Sequence, residues 1–218
     1  MTQFAEDAKH LMIVGATQTG KTTTAKEIFA ESSRVGIWVN DRGKHQVEGV
    51  RTLADGSYRS LRGIKKAFSR DETRIEYLPA DRREGLSELT DWLWTVADRT
   101  DRALPVSIFV DEMHKVAPQS QKDQLVGRDD VRTITKEGEK RNIKLVGISQ
   151  DPVSFDKQSL RQRNYLLCYE LAAEQSRYLR DYGVDVEEIN TQPEFAGVLY
   201  DRSGATLATG VIAKARYA

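Results

Sequence analysis

The sequence has few of the features that mark secreted or membrane proteins. Its single cysteine, Cys168, cannot form an intrachain disulfide, and it lies in an apolar run that predicts a buried thiol. No apolar run approaches the ~18–20 residues that span a bilayer. The N-terminus also lacks the pattern of a secretory signal peptide. We therefore expect a soluble protein of a reducing, intracellular compartment, without a transmembrane segment.

The sequence also lacks an excess of either charge. Lysine and arginine total 33, aspartate and glutamate total 33, and the formal net charge is zero. This balance neither supports nor excludes nucleic acid as a partner, because a basic channel can be local and an oligomer can focus charge. A length of 218 residues suits one α/β domain with a sizeable core.

A glycine-rich segment follows directly after the first apolar run. Residues 15–22 fit the pattern G-x-x-x-x-G-K-[ST], between a predicted strand and a predicted helix. The two glycines permit positive φ, Lys21 can reach the β- and γ-phosphates, and the Thr22 hydroxyl can bind Mg²⁺. The pattern predicts a phosphate-binding loop for ATP. The expected nucleotide-binding residues are Gly15, Ala16, Thr17, Gln18, Thr19, Gly20, Lys21, Thr22 and Thr23.

Two acidic residues end a later apolar strand. Residues 106–112 run from an apolar segment into Asp111 and Glu112. In a nucleotide site this arrangement lets Asp111 hold Mg²⁺ beside Thr22. Glu112 can then act as the general base that activates water. His114 has no second histidine or cysteine at ligand spacing, so we expect it to be structural.

Apolar strands alternate with amphipathic helices along most of the chain. This alternation predicts an α/β fold, a three-layer P-loop NTPase of the RecA/ASCE type with a mainly parallel central sheet of five core strands. The end of the chain predicts a C-terminal β-hairpin. We expect one domain over residues 1–218, with a core at about 9–182 and the hairpin at about 195–215. The polar residues 117–130 lack periodicity and predict a mobile loop.

Four segments together resemble the HerA/FtsK superfamily of P-loop ATPases, over about residues 9–182. They are residues 15–22, 39–43, 108–112 and 145–152. The most specific is Ser149-Gln150-Asp151-Pro152, which is similar to the [ST]-Q-x-P step of that superfamily. The resemblance implies that Gln150 lies between the acidic pair and the γ-phosphate and senses the nucleotide. It also implies that the Gln150 strand separates the phosphate-loop strand from the Asp111 strand.

The resemblance further implies an arginine, shortly before the Gln150 strand, that acts on the nucleotide of a neighbouring subunit. The sequence departs from the pattern here, because the aligned position holds Glu139, with Lys140 and Arg141 after it. We favour Arg141 as this catalytic arginine in trans. The alternatives are Arg132, Arg161 and Arg163.

Within the superfamily, the chain is most like the genome-packaging ATPases of tailless icosahedral viruses with an internal membrane. This likeness implies an ATP- and Mg²⁺-dependent motor that moves double-stranded DNA through a homo-oligomeric ring, a hexamer or pentamer, into a capsid. Capsid or vertex proteins are the implied partners, and the host cytoplasm or the virion is the implied location. The brevity of the chain favours a packaging ATPase over a cellular pump.

Other functions remain open at this stage. One alternative is a HerA-like cellular or plasmid DNA translocase. A second is an assembly or secretion ATPase like the zonula occludens toxin proteins of filamentous phages, although those proteins usually carry a transmembrane run. A third is a small-molecule or nucleoside kinase, which rarely needs an acidic pair to activate water and requires an arginine-rich lid that the sequence does not reveal.

Basic clusters offer three candidate DNA contacts, at residues 57–70, 115–128 and 157–163. The second cluster leaves the strand that carries Glu112, so it is best placed to couple hydrolysis to DNA movement. We expect Lys115, Lys122 and Arg128 to contact phosphates rather than base edges, because a motor must bind any sequence. We also expect all three to lie outside the nucleotide site.

Overall fold

The computed structural model describes residues 6–43, 46–99, 105–119 and 128–212. Nine strands in this part of the chain form one sheet, in the order β3-β4-β2-β5-β6-β1-β7-β8-β9. The strands are β1 (Leu11–Val14), β2 (Val35–Val39), β3 (Gly56–Tyr58), β4 (Arg74–Tyr77), β5 (Val106–Val110), β6 (Ile143–Ser149), β7 (Tyr165–Cys168), β8 (Ala196–Asp201) and β9 (Thr206–Ile212).

The order of the central strands agrees with the prediction from sequence. Strand β6 lies between β1 and β5 and is parallel to both. Val14 pairs with Ser149, and Val110 pairs with Gly147, so these three strands end close together. We call this end of the parallel strands the carboxyl edge and the opposite end the amino edge. The phosphate loop, the acidic pair and Gln150 all follow strands at the carboxyl edge.

The sheet extends beyond the five strands expected at its core. Strands β4 and β3 continue it in parallel on one side, next to β2. On the other side β8 pairs antiparallel with β7, and β9 pairs antiparallel with β8. The mainly parallel α/β fold and the C-terminal hairpin are therefore confirmed, and the hairpin strands belong to the same sheet.

Helices cover both faces of the sheet. They are α1 (Lys21–Glu31), α2 (Val50–Leu53), α3 (Leu61–Phe68), α4 (Arg82–Arg99), α5 (Met113–Val116), α6 (Arg128–Glu137), α7 (Lys157–Gln162), α8 (Ala173–Arg180) and α9 (Val186–Asn190), with a 3₁₀ turn at Gly138–Arg141. None of the helices in the described ranges is long and apolar enough to cross a membrane. The loop expected at residues 117–130 lies mostly outside the described residues, which resume with α6.

The core has two layers because successive strand side chains point to opposite faces. Leu11 and Ile13 pack on the face that α1 covers, whereas Met12 and Val14 pack on the other face. On the first face Trp38 stacks on Phe109 at a ring distance of 5.4 Å. Phe29 of α1 meets both rings edge-on, at 5.6 and 5.4 Å. This aromatic cluster fixes α1, and with it the phosphate loop, against the sheet.

Burial on both faces explains why the central strands read as continuous apolar runs. Strands β1, β5 and β6 are buried along their whole length, as expected for parallel strands covered by helices. Cys168 is fully buried at the end of β7, which agrees with the prediction of a core thiol. Burial of this kind makes the sheet a rigid support for the side chains at its carboxyl edge.

Candidate active site

The loop between β1 and α1 has the backbone that a phosphate site requires. Gly20 has φ 99° and ends the loop in the left-handed region, which a residue without Cβ adopts readily. The second left-handed residue is Gln18, with φ 64°, and not Gly15 as the sequence suggested. Gly15 is required for space instead. A Cβ there would lie 2.7 Å from both Thr19 Oγ1 and Tyr169 Cβ.

Hydrogen bonds hold this loop to the segment after β7 and to the start of α1. The Ala16 amide donates to the Glu170 carbonyl at 2.6 Å. The Ala16 carbonyl accepts hydrogen bonds from Thr19 Oγ1, at 2.9 Å, and from Lys21 Nζ. The loop is thus shaped by the protein itself, and α1 begins immediately after it at Lys21. A helix N-terminus behind a loop of this shape is a ready binding site for phosphate.

Lys21 is a buried cation at the start of α1. The residue is only 7% exposed to solvent. Burial lowers the pKa of Lys21 from 10.5 to about 8, and the nearby Asp111 carboxylate opposes that shift. Negative phosphate oxygens would restore the charged form of this lysine. The energetic cost of burying Lys21 therefore favours the binding of an anion beside it.

Asp111 and Thr22 face each other across the carboxyl edge. Thr22 Oγ1 donates to Asp111 Oδ2 at 3.2 Å, and the Glu112 amide donates to Asp111 Oδ1 at 2.7 Å. Burial raises the pKa of Asp111, and these two hydrogen bonds oppose the rise. A hydroxyl and a carboxylate are the oxygen ligands that Mg²⁺ takes together with nucleotide phosphates and water. The described residues contain no cluster of three or more His, Cys, Asp or Glu side chains for a metal. Thr22 and Asp111 would supply two oxygen ligands to such a metal.

Glu112 has a strained backbone and a cationic partner. Its φ is 48°, in the left-handed region that residues with a Cβ disfavour. Its Oε2 lies 2.6 Å from Lys115 Nζ in α5. Both side chains are partly exposed, at 22% for Glu112 and 36% for Lys115. Lys115 therefore contacts the acidic pair, although it does not itself line the nucleotide cavity described below.

Gln150 connects the end of β6 to the phosphate loop. Its Oε1 accepts a hydrogen bond from Thr17 Oγ1 at 3.0 Å. Its carbonyl accepts one from Gln175 Nε2 at 2.9 Å. Beside it, His114 Nδ1 lies 3.1 Å from Ser149 Oγ, so His114 joins the acidic turn to β6 in a structural role. Burial lowers the pKa of His114.

A cavity of about 630 Å³ brings most of the predicted residues together. It is lined by Thr17, Gln18, Lys21, Thr22, Lys26, Gln46, Val47, Glu48, Gly49, Asp111, Glu112 and Gln150. Lys26 and Glu48 were not predicted. Burial lowers the pKa of Lys26, and the carboxylates of Asp111 and Glu48 oppose that shift. The spacing of Thr22 and Lys26 by one helical turn is the signal that would have revealed Lys26.

A second cavity, of about 830 Å³, adjoins the first at the phosphate loop. The two share Thr17 and Gln18. Phe195 also lines the second cavity, where it is 46% exposed and has φ 62°. Sequence reasoning missed this cavity, because its walls come from the loop, from α8 and α9, and from the segment before β8.

The candidate arginines do not line either cavity. Arg141 precedes β6 at the amino edge, where it contacts Asp98 at 3.0 Å and Glu137 at 3.4 Å. Arg132 pairs with Asp156 at 2.5 Å. Arg163 is 2% exposed and donates to the carbonyls of two residues in its own chain. Within one subunit, then, none of these three reaches the phosphate loop.

A family model described as an AAA domain matches residues 5–148, which is more than half of the 218 residues. The match includes the phosphate loop and the acidic pair and ends within β6. A search of curated proteins found no match.

Solved structures share the fold across nearly the whole chain. The genome packaging NTPase B204 of Sulfolobus turreted icosahedral virus 2, in complex with AMP, is 11% identical with a TM-score of 0.69, over 97% of this chain and 99% of that chain. B204, the DNA-packaging ATPase of Sulfolobus turreted icosahedral virus, is 12% identical with a TM-score of 0.68, over 95% and 98% of the two chains. EccC (ATPases 2 and 3) of Thermomonospora curvata is 16% identical with a TM-score of 0.62, over 97% of this chain but 39% of that chain.

Proposed function

The chain belongs to the AAA domain family and is a P-loop ATPase, and from this premise we propose that it is an ATP-driven translocase that packages double-stranded viral DNA. One observation carries the enzymatic part of the proposal. Lys21, Thr22, Asp111, Glu112 and Gln150, which come from three segments of the sequence, line a single cavity beside the phosphate loop.

The reaction is hydrolysis of ATP to ADP and phosphate. The loop amides and the positive end of α1 bind the phosphates, and Lys21 moves its ammonium from the Ala16 carbonyl to the β- and γ-phosphate oxygens. Thr22 and Asp111 would hold Mg²⁺, which when bound would neutralise charge on those oxygens. Glu112 accepts the proton of the attacking water as general base. Gln150, held by Thr17, reports the state of the γ-phosphate to β6.

The nucleotide spans the two adjoining cavities. Its phosphates occupy the 630 Å³ cavity that contains the acidic pair. Its nucleoside lies in the 830 Å³ cavity on the other side of Thr17 and Gln18, close to Phe195. An exposed aromatic ring is well suited to contact a base. This assignment gives each cavity one half of the same ligand.

The packaging part of the proposal rests on the extent of the structural likeness. Alignment with the B204 packaging ATPases covers nearly all of both chains, whereas EccC contains much more than the matched part. We place the chain in the HerA/FtsK superfamily, as one domain that acts as a hexameric or pentameric ring. Capsid or vertex proteins are its proposed partners, in the host cytoplasm or the virion.

In such a ring an arginine of one subunit would complete the site of the next. Arg141 remains our proposal for this role. Arg141 lines neither nucleotide cavity of its own chain, so a contact with nucleotide would have to be made in a neighbouring subunit. Its contacts with Asp98 and Glu137 would have to be exchanged for contacts with the neighbouring nucleotide.

Stimulation of ATP turnover by duplex DNA tests the proposal. Turnover is measured with and without DNA of mixed sequence, over a series of salt concentrations, with Glu112→Gln as the blank. We expect stimulation on all sequences, falling as salt rises, because phosphate contacts release counterions. An ATP turnover rate that DNA does not change, under conditions where the protein forms rings, would contradict the proposal that it is a DNA translocase.

A second candidate is an ATPase that acts on protein during assembly or secretion. The likeness to EccC, whose structure contains a signal sequence peptide, is the observation that favours it. Stimulation of turnover by a peptide, in place of DNA, would support this alternative.

A further inference from the structure

Two arginines at the start of α4 bind the backbone on both sides of Glu112. Arg82 Nη1 donates to the Asp111 carbonyl at 3.0 Å. Arg83 donates to the Lys115 carbonyl twice, from Nε at 2.9 Å and from Nη2 at 2.7 Å. Neither arginine lines the two nucleotide cavities. Their contacts are therefore with the segment that carries the general base, and not with the nucleotide.

This segment needs support because its backbone is strained. Strand β5 ends at Val110, and α5, from Met113 to Val116, is only four residues long. Between them Glu112 has φ 48°, a value that a residue with a Cβ keeps only where its surroundings hold it. The Asp111 carbonyl lies at the start of this turn, so a donor to that carbonyl fixes the peptide that leads into Glu112.

Arg82 is itself held in place. Its side chain is 9% exposed, and its Nε lies 3.8 Å from Asp41 Oδ2. Asp41 is oriented in turn, since its Oδ1 accepts a hydrogen bond from the Gly43 amide at 2.9 Å. At the start of α4, Asp81 Oδ1 accepts hydrogen bonds from two backbone amides, which fixes the end of the helix that presents Arg82.

Residues 39–43 contribute no side chain to either cavity, although they carry part of the sequence resemblance. The contacts above connect this segment to the catalytic turn through Asp41, Arg82 and the Asp111 carbonyl. We propose that Arg82, oriented by Asp41, is a positioning residue that holds the turn at Glu112 in the conformation required for hydrolysis. This role rests on the ATPase activity of the proposed function and is independent of DNA.

The first test separates turnover from nucleotide binding. In Arg82→Ala we expect kcat to fall by about 100-fold, the usual effect of a general base displaced by about an ångström. The Kd for ATP should change by less than about twofold, because the phosphate loop is untouched. Arg82→Lys retains a cation near Asp41 but loses the planar donor, so its kcat should lie between those of the unaltered protein and Arg82→Ala.

The second test is a double-mutant cycle with Glu112→Gln, measured in single turnover with enzyme in excess. If Arg82 acts through Glu112, Arg82→Ala should cause no further loss of rate once the base is gone. Arg74→Ala is the matched control. Arg74 also donates to backbone carbonyls, those of Arg34 and Ser32 among them, but at the amino edge. It should lower the Tm and leave kcat unchanged.

Three results would overturn the role. Parental kcat in Arg82→Ala would exclude it, as would an equal loss of rate in the Glu112→Gln background. If Arg82→Ala fails to fold, Arg82→Lys and Asp41→Asn carry the test, and parental kcat in both would also exclude it. Parental kcat in these variants would reject the role of Arg82 but leave the proposed ATPase function intact. Absence of turnover in the unaltered protein would instead reject the proposed function itself.

Discussion

The carboxyl and amino edges of the sheet each bury a lysine whose pKa is lowered from 10.5 to about 8, chiefly by burial. Lys21 lies at the carboxyl edge, beside an open cavity. Lys144 lies at the amino edge, fully buried, with its ammonium 3.4 Å from Asp7. The same lowered pKa therefore occurs in a lysine beside an open cavity, Lys21, and in a lysine enclosed by the protein, Lys144.

Several buried polar groups at the amino edge are paired within the chain, although among the described residues His10 Nε2 and Arg163 Nε are buried there without a hydrogen-bond partner. Arg34 donates to Ser107 Oγ at 2.9 Å and to the Asn142 carbonyl at 2.6 Å. Tyr165 donates to Asp7 Oδ2 at 2.7 Å. None of these residues lines the two nucleotide cavities. Charge is buried here among partners of the same chain, which is how a structural network is built.

The carboxyl edge instead borders a cavity that its functional side chains line. Its acidic turn is strained at Glu112, and Lys21 depends on a backbone carbonyl for a partner. A lowered pKa alone would not have separated the two lysines. The cavity beside Lys21 distinguishes it from Lys144, which is fully enclosed.

The largest expected effect is at Glu112. Glu112→Gln should lower ATP turnover by ~10²–10⁴-fold, the usual contribution of a general base, while ATP still binds. Glu6→Gln is the control, because Glu6 accepts hydrogen bonds from Ser33 at the amino edge, from its amide at 2.9 Å. Steady-state kinetics and a binding assay measure both variants. Equal turnover in Glu112→Gln and Glu6→Gln would contradict the assignment of catalysis to the carboxyl edge.

The second prediction concerns the affinity for ATP as a function of pH. Lys21 has a pKa of about 8 in the free protein, and bound phosphates raise it. Below pH 8 the lysine is protonated in both states, whereas above pH 8 binding must take up a proton. The Kd for ATP should therefore increase by up to ~10-fold per pH unit above pH 8.

Lys21→Arg is the control for this prediction, since arginine stays charged throughout the range. Its Kd should be flat between pH 8 and 9.5. Calorimetry in buffers of different ionisation enthalpy would detect the proton uptake directly. A pH-independent Kd in the unaltered protein would show that Lys21 is not the titrating group.

The third prediction compares the lysines through stability. Each has a folded pKa of about 8 against 10.5, so the folded state binds fewer protons between these values. The unfolding free energy should rise with pH in that window, by about 1–2 kcal/mol per lysine from pH 8 to 9.5, and the cost of burial is fully present below pH 8.

Lys21→Met and Lys144→Met should each remove one lysine's contribution to the increase in unfolding free energy between pH 8 and 9.5. A saturating ATP analogue should remove only the share of Lys21, since phosphates restore its charge. Denaturant titrations across the pH range measure these differences. If the analogue also removed the share of Lys144, the amino edge would be coupled to the nucleotide.

The smallest expected effect is at Lys115. Its ammonium lies 2.6 Å from Glu112, where it competes with water for the carboxylate. Lys115→Met should raise turnover without DNA by up to about fivefold, since a partly exposed ion pair contributes at most about 1 kcal/mol. A fall in this basal rate would instead make Lys115 part of the catalytic apparatus.

Much of this site could be predicted because its residues follow strands. Asp111 and Gln150 each follow an apolar strand directly, Lys21 follows the loop after β1, and parallel strands bring such ends together. The order of β1, β6 and β5 followed from the resemblance and is confirmed. These features depend on local patterns that a sequence displays directly.

The features that escaped prediction depend on side chains from distant segments. The contact of Arg82, in α4, with Asp111, just after β5, joins a helix to a strand end that no periodicity connects. The left-handed conformation at Gln18 is imposed by the loop, although its residue type does not favour it. Short elements such as β3, with three residues, carry too little pattern to be recognised. The arginine in trans depends on a second subunit and so stays a prediction.

The most direct measurement is ATP turnover in Lys21→Met and Lys144→Met beside the unaltered protein. The two substitutions remove the same charge from equally perturbed lysines at opposite edges of one sheet. Turnover should be lost in Lys21→Met and retained in Lys144→Met, with both variants folded. Parental turnover in Lys21→Met would contradict the assignment of the nucleotide site to the carboxyl edge.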